Sequence, residues 1–207
     1  MTLQSVIATN LTCLRGGRVV FRDLGFEARA GQALSLEGAN GAGKSSLLRM
    51  LAGFLAPAAG TIALRTNSGD IIDGEDRGKH AGWLGHLDAA KPQMSVAETL
   101  RFFAVFYGAD TNGIPAALDA TGLVRLADLS CQYLSAGQKK RLALARLKIS
   151  GRPLWLMDEP LAALDTAGKT IAANLIAAHC ASGGMAIVAT HEPLGIACEK
   201  LTLGAAA

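Results

Sequence analysis

The sequence predicts an α/β fold: a core of mixed or parallel sheet with flanking helices, an antiparallel β-subdomain at the N-terminus and an all-helical insertion. Three observations lead to this prediction. Apolar and polar residues alternate over residues 4–14 and 18–29, as they do in half-buried antiparallel strands. A short apolar strand and a helix enclose a glycine-rich loop at residues 38–45. The spacing of apolar residues then becomes helical over residues 88–150.

The size and composition fit one domain with a substantial interior. The chain has 207 residues, and we expect a core at about 1–87 and 151–207 with a helical subdomain at about 88–150. A content of 50% hydrophobic and 18% charged residues predicts exposed apolar surface for a partner. The net charge of +3 is small and no basic stripe is interleaved with aromatic residues, so no nucleic-acid partner is indicated.

The cysteines and the apolar segments indicate the cellular location of the protein. The 4 cysteines are scattered without a C-x-x-C pair, which predicts reduced thiols in a cytosolic protein rather than a disulfide framework or a zinc site. No window offers 18 or more apolar residues free of charge, and the N-terminus lacks a basic region. We therefore expect neither a membrane-spanning helix nor a signal peptide.

Residues 1–87 are predicted to form strands around one helix. Gly16 and Gly17 predict the turn between the two alternating strands, and Pro57 with Gly60 predicts the end of the helix. The elements expected around these signals are strands at 33–37, 61–65 and 81–85, a helix at 46–54 and a surface loop at 67–79.

The glycine-rich loop is Gly38-Ala39-Asn40-Gly41-Ala42-Gly43-Lys44-Ser45, which fits the phosphate-loop pattern G-x-x-x-x-G-K-[ST] without a mismatch. Glycines let backbone N–H groups close around a triphosphate, and the helix that begins at Ser46 favours its negative charge. Lys44 is suited to the β- and γ-phosphates, and the Ser45 hydroxyl is suited to Mg²⁺. A glycine-rich turn that matches by chance is the alternative, but the preceding strand and following helix argue against it.

The second half of the chain begins with helices and returns to strands. Ser95 and Glu98 form a capping box, Ser to Glu at the third helical position, that predicts a helix through about Tyr107. Helical spacing continues over 114–129 and 138–149. The unbroken apolar run at 154–157 predicts a buried parallel strand. A helix at 166–180, a last strand at 185–190 and little structure after His191 complete the prediction.

Two carboxylates end the buried strand at 154–157. Asp158 is suited to hold Mg²⁺ through water beside Ser45, and Glu159 is suited to polarise the water that attacks the γ-phosphate. Acidic residues also decorate many helix N-termini, so the pair alone would be a weak signal. Together with the upstream phosphate loop it indicates hydrolysis of a nucleoside triphosphate.

The segment Leu134-Ser135-Ala136-Gly137-Gln138 precedes the helix at 138–149 and changes this interpretation. On its own, Ser135 would be an ordinary helix N-cap. The pentapeptide resembles the signature sequence L-S-G-G-Q of ABC-type ATPases, with Ala136 in the third place, and it precedes Asp158 at the spacing usual in that family.

This resemblance implies further functional parts. It implies that Asp165, in Leu164-Asp165, lies in a D-loop at a dimer interface, and that His191 contacts the γ-phosphate. In the family, ATP lies between the phosphate loop of one subunit and the signature loop of another. The resemblance therefore implies an ATP-dependent homodimer of this chain, with ATP and Mg²⁺ as its ligands.

Three positions depart from the family pattern. His86 stands where the family has a Gln that touches Mg²⁺ and the attacking water, and an imidazole titrates near neutrality. Arg15 stands where an aromatic ring stacks on adenine, a role that a guanidinium plane can also take. Ala162 stands where a D-loop often carries Ser. We predict catalytic and metal roles for His86 and a nucleotide contact for Arg15.

These features together look like the haem-exporter ATPases of bacterial cytochrome c maturation, the CcmA family. That resemblance implies a peripheral subunit on the cytoplasmic face of the inner membrane. It also implies a CcmB-like integral membrane permease as partner. The same complex can include further haem-handling membrane subunits. None of the histidines has a Cys-Pro or axial-pair context, so no haem ligand is predicted.

Other interpretations remain open at this point. The ATPase of another ABC importer or exporter would share every motif. A phosphate-loop kinase for a small molecule would need an arginine-rich lid and an acceptor pocket, and the signature pentapeptide argues against it. A regulatory ATP-binding module without turnover would lack the catalytic carboxylate, which is present as Glu159.

Overall fold

The computed structural model describes residues 2–85 and 90–204, and its strands form two sheets. The first sheet is antiparallel, in the order β2-β1-β4-β5. Its strands are β1 (Leu3–Arg15), β2 (Arg18–Arg29), β4 (Ala59–Thr66) and β5 (Gly69–Ile71). The second sheet is parallel, in the order β6-β7-β8-β3-β9. Its strands are β3 (Ala33–Glu37), β6 (Ala81–Leu84), β7 (Leu154–Asp158), β8 (Met185–Ala189) and β9 (Glu199–Thr202).

The helices occupy the segments between these strands. Helices α1 (Lys44–Leu51) and α2 (Gly74–Gly78) lie in the N-terminal half. Helices α3 (Val96–Tyr107), α4 (Ile114–Ala120) and α5 (Ala136–Ile149) follow β6, and α6 (Thr166–Ala181) connects β7 to β8. The predicted α/β fold with an antiparallel N-terminal sheet is confirmed. The capping box of Ser95 and Glu98 is also present at the start of α3.

Side-chain alternation in the parallel strands explains how the layers pack. Leu154 and Leu156 of β7 face a cluster that includes the buried side of α1 and the antiparallel sheet. Trp155 and Met157 of the same strand face a second cluster that contains α5 and α6. Because successive strand residues point to opposite faces, the parallel sheet is covered on both sides. A third cluster joins α3, α4 and α5.

Helix α1 differs from its predicted bounds of 46–54. It begins at Lys44, because the left-handed Gly43 directly precedes the first helical residue. It ends at Leu51, where Gly53 takes a positive φ and the N–H of Phe54 donates to the carbonyl of Arg49. This arrangement is a Schellman motif, which satisfies the last carbonyl groups of a helix and stops it.

Three other segments were predicted wrongly. Residues 67–79 are not only a surface loop, since they contain β5 and α2. The helical pattern at 114–129 is broken after Ala120, where the chain turns and the N–H of Leu123 donates to the carbonyl of Leu118. Residues after 193 include β9, which adds a parallel edge strand beside β3.

Candidate functional site

The phosphate-loop segment joins the end of β3 to the start of α1, where the chain must turn sharply. Gly43 takes a φ of 100°, a left-handed conformation that residues with a Cβ rarely adopt. A Cβ at this position would also lie 2.7 Å from Val20 and 2.8 Å from Phe21 of β2. Backbone conformation and close contact with the antiparallel sheet therefore both require glycine here.

Lys44 is the first residue of α1, and its side chain folds back across the loop. Its Nζ donates to the carbonyl oxygen of Gly38 at 2.7 Å and to that of Ala39 at 3.1 Å. The residue is buried. Both acceptors are neutral, so these bonds do not neutralise the ammonium charge. A phosphate oxygen that replaced them would receive a stronger, charge-assisted hydrogen bond.

Below the loop, the Ser46 side chain contacts Cys13 of β1. Burial raises the pKa of the Cys13 thiol, although the hydrogen bond with Ser46 and the charge of Arg15 act in the opposite direction. The thiol is therefore protonated at neutral pH and is unsuited to act as a nucleophile. Its position makes it a packing residue under the loop.

Two carboxylates stand at the carboxyl end of β7. Asp158 is the last residue of that strand and pairs with Ala189 of β8. Glu159 follows with a φ of 50°, and its N–H donates to the carbonyl of Ala189 at 2.8 Å. A positive φ at a non-glycine residue is uncommon and costs conformational energy. The turn at this residue leaves the Glu159 side chain beside His191.

His191 lies just beyond the end of β8 and faces Glu159. Its Nε2 is 3.6 Å from Oε1 of Glu159, with the two side chains 50% and 29% exposed. This separation exceeds that of a normal hydrogen bond. The pair is an ion pair only when the imidazole is protonated.

A cleft of about 520 Å³ brings the loop and the carboxylates together. The carboxyl ends of adjacent parallel strands lie at the same edge of a sheet, which explains why segments distant in sequence meet here. The residues that line the cleft are Arg15, Val20, Asn40, Gly41, Gly43, Lys44, Ser45, Ser46, Arg49, Asp158, Glu159 and His191.

Most of the predicted nucleotide and catalytic residues therefore share one cavity. Of the remaining loop residues, Gly38 and Ala39 contact Lys44 through their carbonyls, and Ala42 is buried in the core. The predicted site at His86 lies outside the described residues. The individual roles of these side chains stay predictions.

Val20 and Arg49 line the cleft but were not predicted as site residues. Arg49 lies four positions after Ser45 on α1, so it shares a helix face with that residue. This spacing was a signal that sequence reasoning could have used. Val20 belongs to β2, and nothing in its local sequence distinguishes it from other strand residues.

The signature segment lies outside the cleft. Ser135 caps α5 by accepting a hydrogen bond from the N–H of Gln138 at 3.2 Å, and the Gln138 side chain accepts one from the N–H of Ser135 at 2.8 Å. Leu134 is buried, whereas Ser135 and Ala136 are exposed. The chain thus presents the start of a helix, where anions bind favourably, on its surface rather than toward its own phosphate loop.

Asp165 caps the N-terminus of α6. Its Oδ1 accepts a hydrogen bond from the N–H of Gly168 at 2.7 Å. The preceding segment contains Ala163 at a φ of 64°. A Cβ on Gly137 would lie 2.9 Å from the Ala163 carbonyl oxygen. The predicted signature and D-loop segments are therefore in close contact within one chain.

Comparison with protein families and curated proteins agrees with these observations. A family model described as "ABC transporter" matches residues 21–162. The chain is 52% identical over 197 residues to the cytochrome c biogenesis ATP-binding export protein CcmA of Rhodopseudomonas palustris strain BisB5, covering 95% of this chain and 96% of that protein. It is 47% identical over 201 residues to the protein of the same name from Mesorhizobium japonicum, covering 97% and 98%.

Solved structures share the fold. A putative ABC transporter ATP-binding protein from Pyrococcus furiosus superposes with a TM-score of 0.83 at 22% identity, covering 96% of this chain and 97% of that one. A dimeric ATP-binding cassette in a post-hydrolysis state, bound to ADP and Pi, gives a TM-score of 0.77 at 22% identity, covering 90% and 88%. Among the helices in the described part of the chain, none is long and apolar enough to span a bilayer.

Proposed function

Because the chain belongs to the ABC transporter family, and within it to the CcmA cytochrome c biogenesis ATP-binding export proteins, we propose that it hydrolyses ATP to drive haem export in cytochrome c maturation. ATP hydrolysis would also be coupled to the release of haem by way of the periplasmic haem chaperone. The observation that carries the hydrolytic part of the proposal is the shared cleft of Lys44, Asp158, Glu159 and His191.

In this proposal each cleft residue has one task. Lys44 leaves the carbonyls of Gly38 and Ala39 and donates to the terminal phosphates, where it stabilises charge that develops during the reaction. Glu159 accepts a proton from the attacking water. His191, which lies within 3.6 Å of that carboxylate, donates to the γ-phosphate. Arg15 contacts the base from the end of β1.

The residues of the cleft suit Mg²⁺. The Ser45 hydroxyl and the Asp158 carboxylate are hard oxygen donors that line the same cavity, and we assign both to the metal site, with Asp158 acting through water. His86 was predicted as a further ligand. Within residues 2–85 and 90–204, no group of three or more His, Cys, Asp or Glu side chains could hold a metal ion. In this proposal, phosphate oxygens of the nucleotide would complete the coordination of the ion. When bound, it would neutralise negative charge on the β- and γ-phosphates.

The position of Ser135 supports a second chain in the reaction. Ser135 and Ala136 are exposed at the start of α5, and neither lines the cleft that contains Lys44. We propose that two copies bind ATP between the cleft of one chain and residues 134–138 of the other. Closing around ATP and opening after hydrolysis would then be the motion that a membrane partner uses.

The exposed face of α3 supports a partner of apolar character. Phe102, Val105 and Phe106 are 42%, 70% and 71% exposed. Adjacent apolar side chains with this exposure are typical of interaction sites. We propose that a CcmB-like membrane permease contacts this face, with further haem-handling membrane subunits in the complex. The ATPase would then be a peripheral protein on the cytoplasmic face of the bacterial inner membrane.

The hydrolytic part is tested with purified protein. ATP hydrolysis is measured for wild type, Lys44→Ala and Glu159→Gln, and inorganic phosphate release is compared with transfer to added small-molecule acceptors. We expect Glu159→Gln to retain ATP binding and to lose turnover by at least about 10²-fold, because a general base contributes about 10² to 10⁴ in rate. Equal hydrolysis by wild type and Glu159→Gln would refute the assigned base.

The cellular part needs a separate experiment. A bacterial strain that lacks its own cytochrome c maturation ATPase is complemented with wild type or Glu159→Gln, and covalent haem in c-type cytochromes is quantified. Wild type should restore the haem signal and the variant should not. Failure of an expressed, hydrolytically active wild type to restore it would point to another ABC transport system. Genes for substrate-binding proteins next to the gene for this chain would also indicate another ABC transport system.

A further inference from the structure

An ion pair joins α6 to the loop that carries His191. Nζ of Lys169 donates to Oε2 of Glu192, and the two side chains are 40% and 46% exposed. Lys169 belongs to the first turn of α6, whereas Glu192 directly follows His191 in sequence. The contact therefore bridges 23 residues of chain.

The loop around His191 is short and internally bonded. The N–H of Glu192 donates to Oγ1 of Thr190 at 3.1 Å, and that hydroxyl lies 3.3 Å from the Glu192 carbonyl oxygen. Thr190 is buried directly after β8. These bonds fix the residues on either side of His191. Because both bonds involve the backbone of Glu192, a displacement of Glu192 is transmitted to the short loop that carries the imidazole.

The other end of the ion pair is equally well anchored. The N–H of Lys169 donates to the carbonyl of Asp165 at 2.9 Å, and the side chain of Asp165 caps the same helical turn. Asp165 is the predicted D-loop residue. The ammonium of Lys169 consequently connects the start of α6 to the His191 loop.

We propose that Lys169 is a positioning residue for ATP hydrolysis: through its ion pair with Glu192 it holds His191 beside Glu159. The inference rests on the proposed hydrolytic function of the cleft, and it adds two residues that do not line that cleft. Without the ion pair, the Glu192 side chain loses its link to α6, and the loop that carries the imidazole gains freedom to move away from the Glu159 carboxylate, now 3.6 Å distant. Misplacement of a catalytic group by about 1 Å can cost 10²-fold in rate.

A purely structural role would produce a different result. Exposed ion pairs contribute little to stability because water and salt screen the charges. The pair formed by Arg65 and Asp70 offers a matched control, since its side chains are 51% and 39% exposed and it lies in the antiparallel sheet. Removing either pair should change stability equally little. Only the pair beside His191 should change catalysis.

The experiment measures kcat and KM for ATP hydrolysis in Lys169→Met, Glu192→Gln, Lys169→Arg and the control Arg65→Met. We expect Lys169→Met and Glu192→Gln to lower kcat about threefold or more, with KM changed less than about twofold, the pattern of a group that acts in the transition state. Lys169→Arg retains the charge and should recover most of the activity. The exchanged pair Lys169→Glu with Glu192→Lys should recover more activity than either exchange alone.

Two results would overturn the proposal: a kcat for Lys169→Met equal to that of Arg65→Met, or no recovery in Lys169→Arg. Thermal unfolding of each variant separates these results from loss of fold, and Glu192→Gln tests the same contact from its other side. Glu159→Gln is measured in parallel. If that variant hydrolyses ATP normally, the proposed function fails. If it is inactive while Lys169→Met matches Arg65→Met, only the positioning role fails.

Discussion

Gly137 and Ala163 approach so closely that a methyl group on the glycine would lie 2.9 Å from the alanine carbonyl oxygen. Gly137 is in the first turn of α5, and Ala163 is held at a φ of 64° two residues before Asp165. The predicted signature segment and the segment that follows Glu159 are therefore packed against each other in the same chain. A change in the backbone after Glu159, the proposed catalytic base, would reach the surface that is proposed to meet the second ATP.

Gly137→Ala should reduce ATP turnover more than ATP binding. The added methyl group must displace either the start of α5 or the Ala163 carbonyl, and overpacking of this kind costs about 1–3 kcal/mol. Gly113→Ala is the matched control, because Gly113 has a φ of −75° and open space around its Cβ position. Titration calorimetry and phosphate release measure the two properties. Normal turnover in a folded Gly137→Ala would show that the contact does not matter for catalysis.

Ser135→Ala should weaken ATP-driven dimerisation. Ser135 and Ser95 both cap a helix through a capping box, so alanine at either position should cost about 1 kcal/mol of stability. Only Ser135 is proposed to contact ATP bound to a second chain. Light scattering with ATP, in a Glu159→Gln background that slows hydrolysis, compares the two variants. Equal dimerisation by the Ser135→Ala and Ser95→Ala variants would refute the proposed contact. A fully active monomer would refute the two-chain arrangement.

The parts of this fold that sequence predicted well are those with local signals. The apolar strand, glycine-rich loop and helix around Lys44 form one continuous pattern, and the strand that ends at Asp158 is signalled by four consecutive apolar residues, 154–157. These two segments already contain most of the residues that line the cleft.

The parts that were missed depend on contacts between distant segments. Strand β9 has four residues, three of them polar, and it exists because Glu199–Thr202 pairs with β3. Helix α2 lies in a charged stretch that reads as solvent-exposed loop, yet it carries the buried Arg77. The place of Val20 in the cleft likewise follows from how β2 packs against the loop. Neither the alternation of apolar and polar residues nor the spacing of motifs indicates which distant segments will contact each other.

Arg77 should contribute strongly to stability because its buried guanidinium serves several carbonyls. The donated bonds go to Ile62 at 3.3 Å, to Met50 at 3.2 Å and to Ile72. Burial lowers the pKa of Arg77, an effect that the charge of Asp73 opposes. Arg77→Met would leave buried acceptors without partners, a loss of about 1–3 kcal/mol for each unsatisfied group.

Urea unfolding of Arg77→Met, with Arg65→Met as the control for an exposed arginine, measures this contribution. The control should lose less than about 1 kcal/mol. Met50 lies in α1, so the ATP-induced rise in melting temperature should also fall in Arg77→Met. Equal unfolding free energies for the two variants would show that water replaces the guanidinium at these carbonyls without cost.

His179 should make the protein less stable as the pH falls below neutrality. Its ring stacks on Trp155 with centroids 3.9 Å apart, and its Nε2 lies 3.1 Å from the carbonyl oxygen of Pro153. Burial lowers the pKa of His179 from its ordinary value of 6.5, against the opposing effect of hydrogen bonds with Pro153 and Met185. Below that ordinary value, the unfolded chain binds a proton that the folded chain still excludes. The contribution of the neutral His179 to the unfolding free energy is therefore fully present above pH 6.5, and it is lost as the pH decreases toward the folded pKa.

Urea unfolding at a series of pH values from about 7.5 to 5.5 measures this effect, and the unfolding free energy should decrease as the pH is lowered across that range. His179→Gln should show a shallower dependence over the same range. His80 contributes with the same sign because burial also lowers its pKa, so His80→Gln is measured beside it. The pKa values of Asp73 and Glu98 are lowered by hydrogen bonds from ordinary values of 3.8 and 4.5, and their effects fall at more acidic pH. An unchanged pH dependence in His179→Gln would mean that the stacked imidazole accepts its proton as readily in the folded protein as in the unfolded chain.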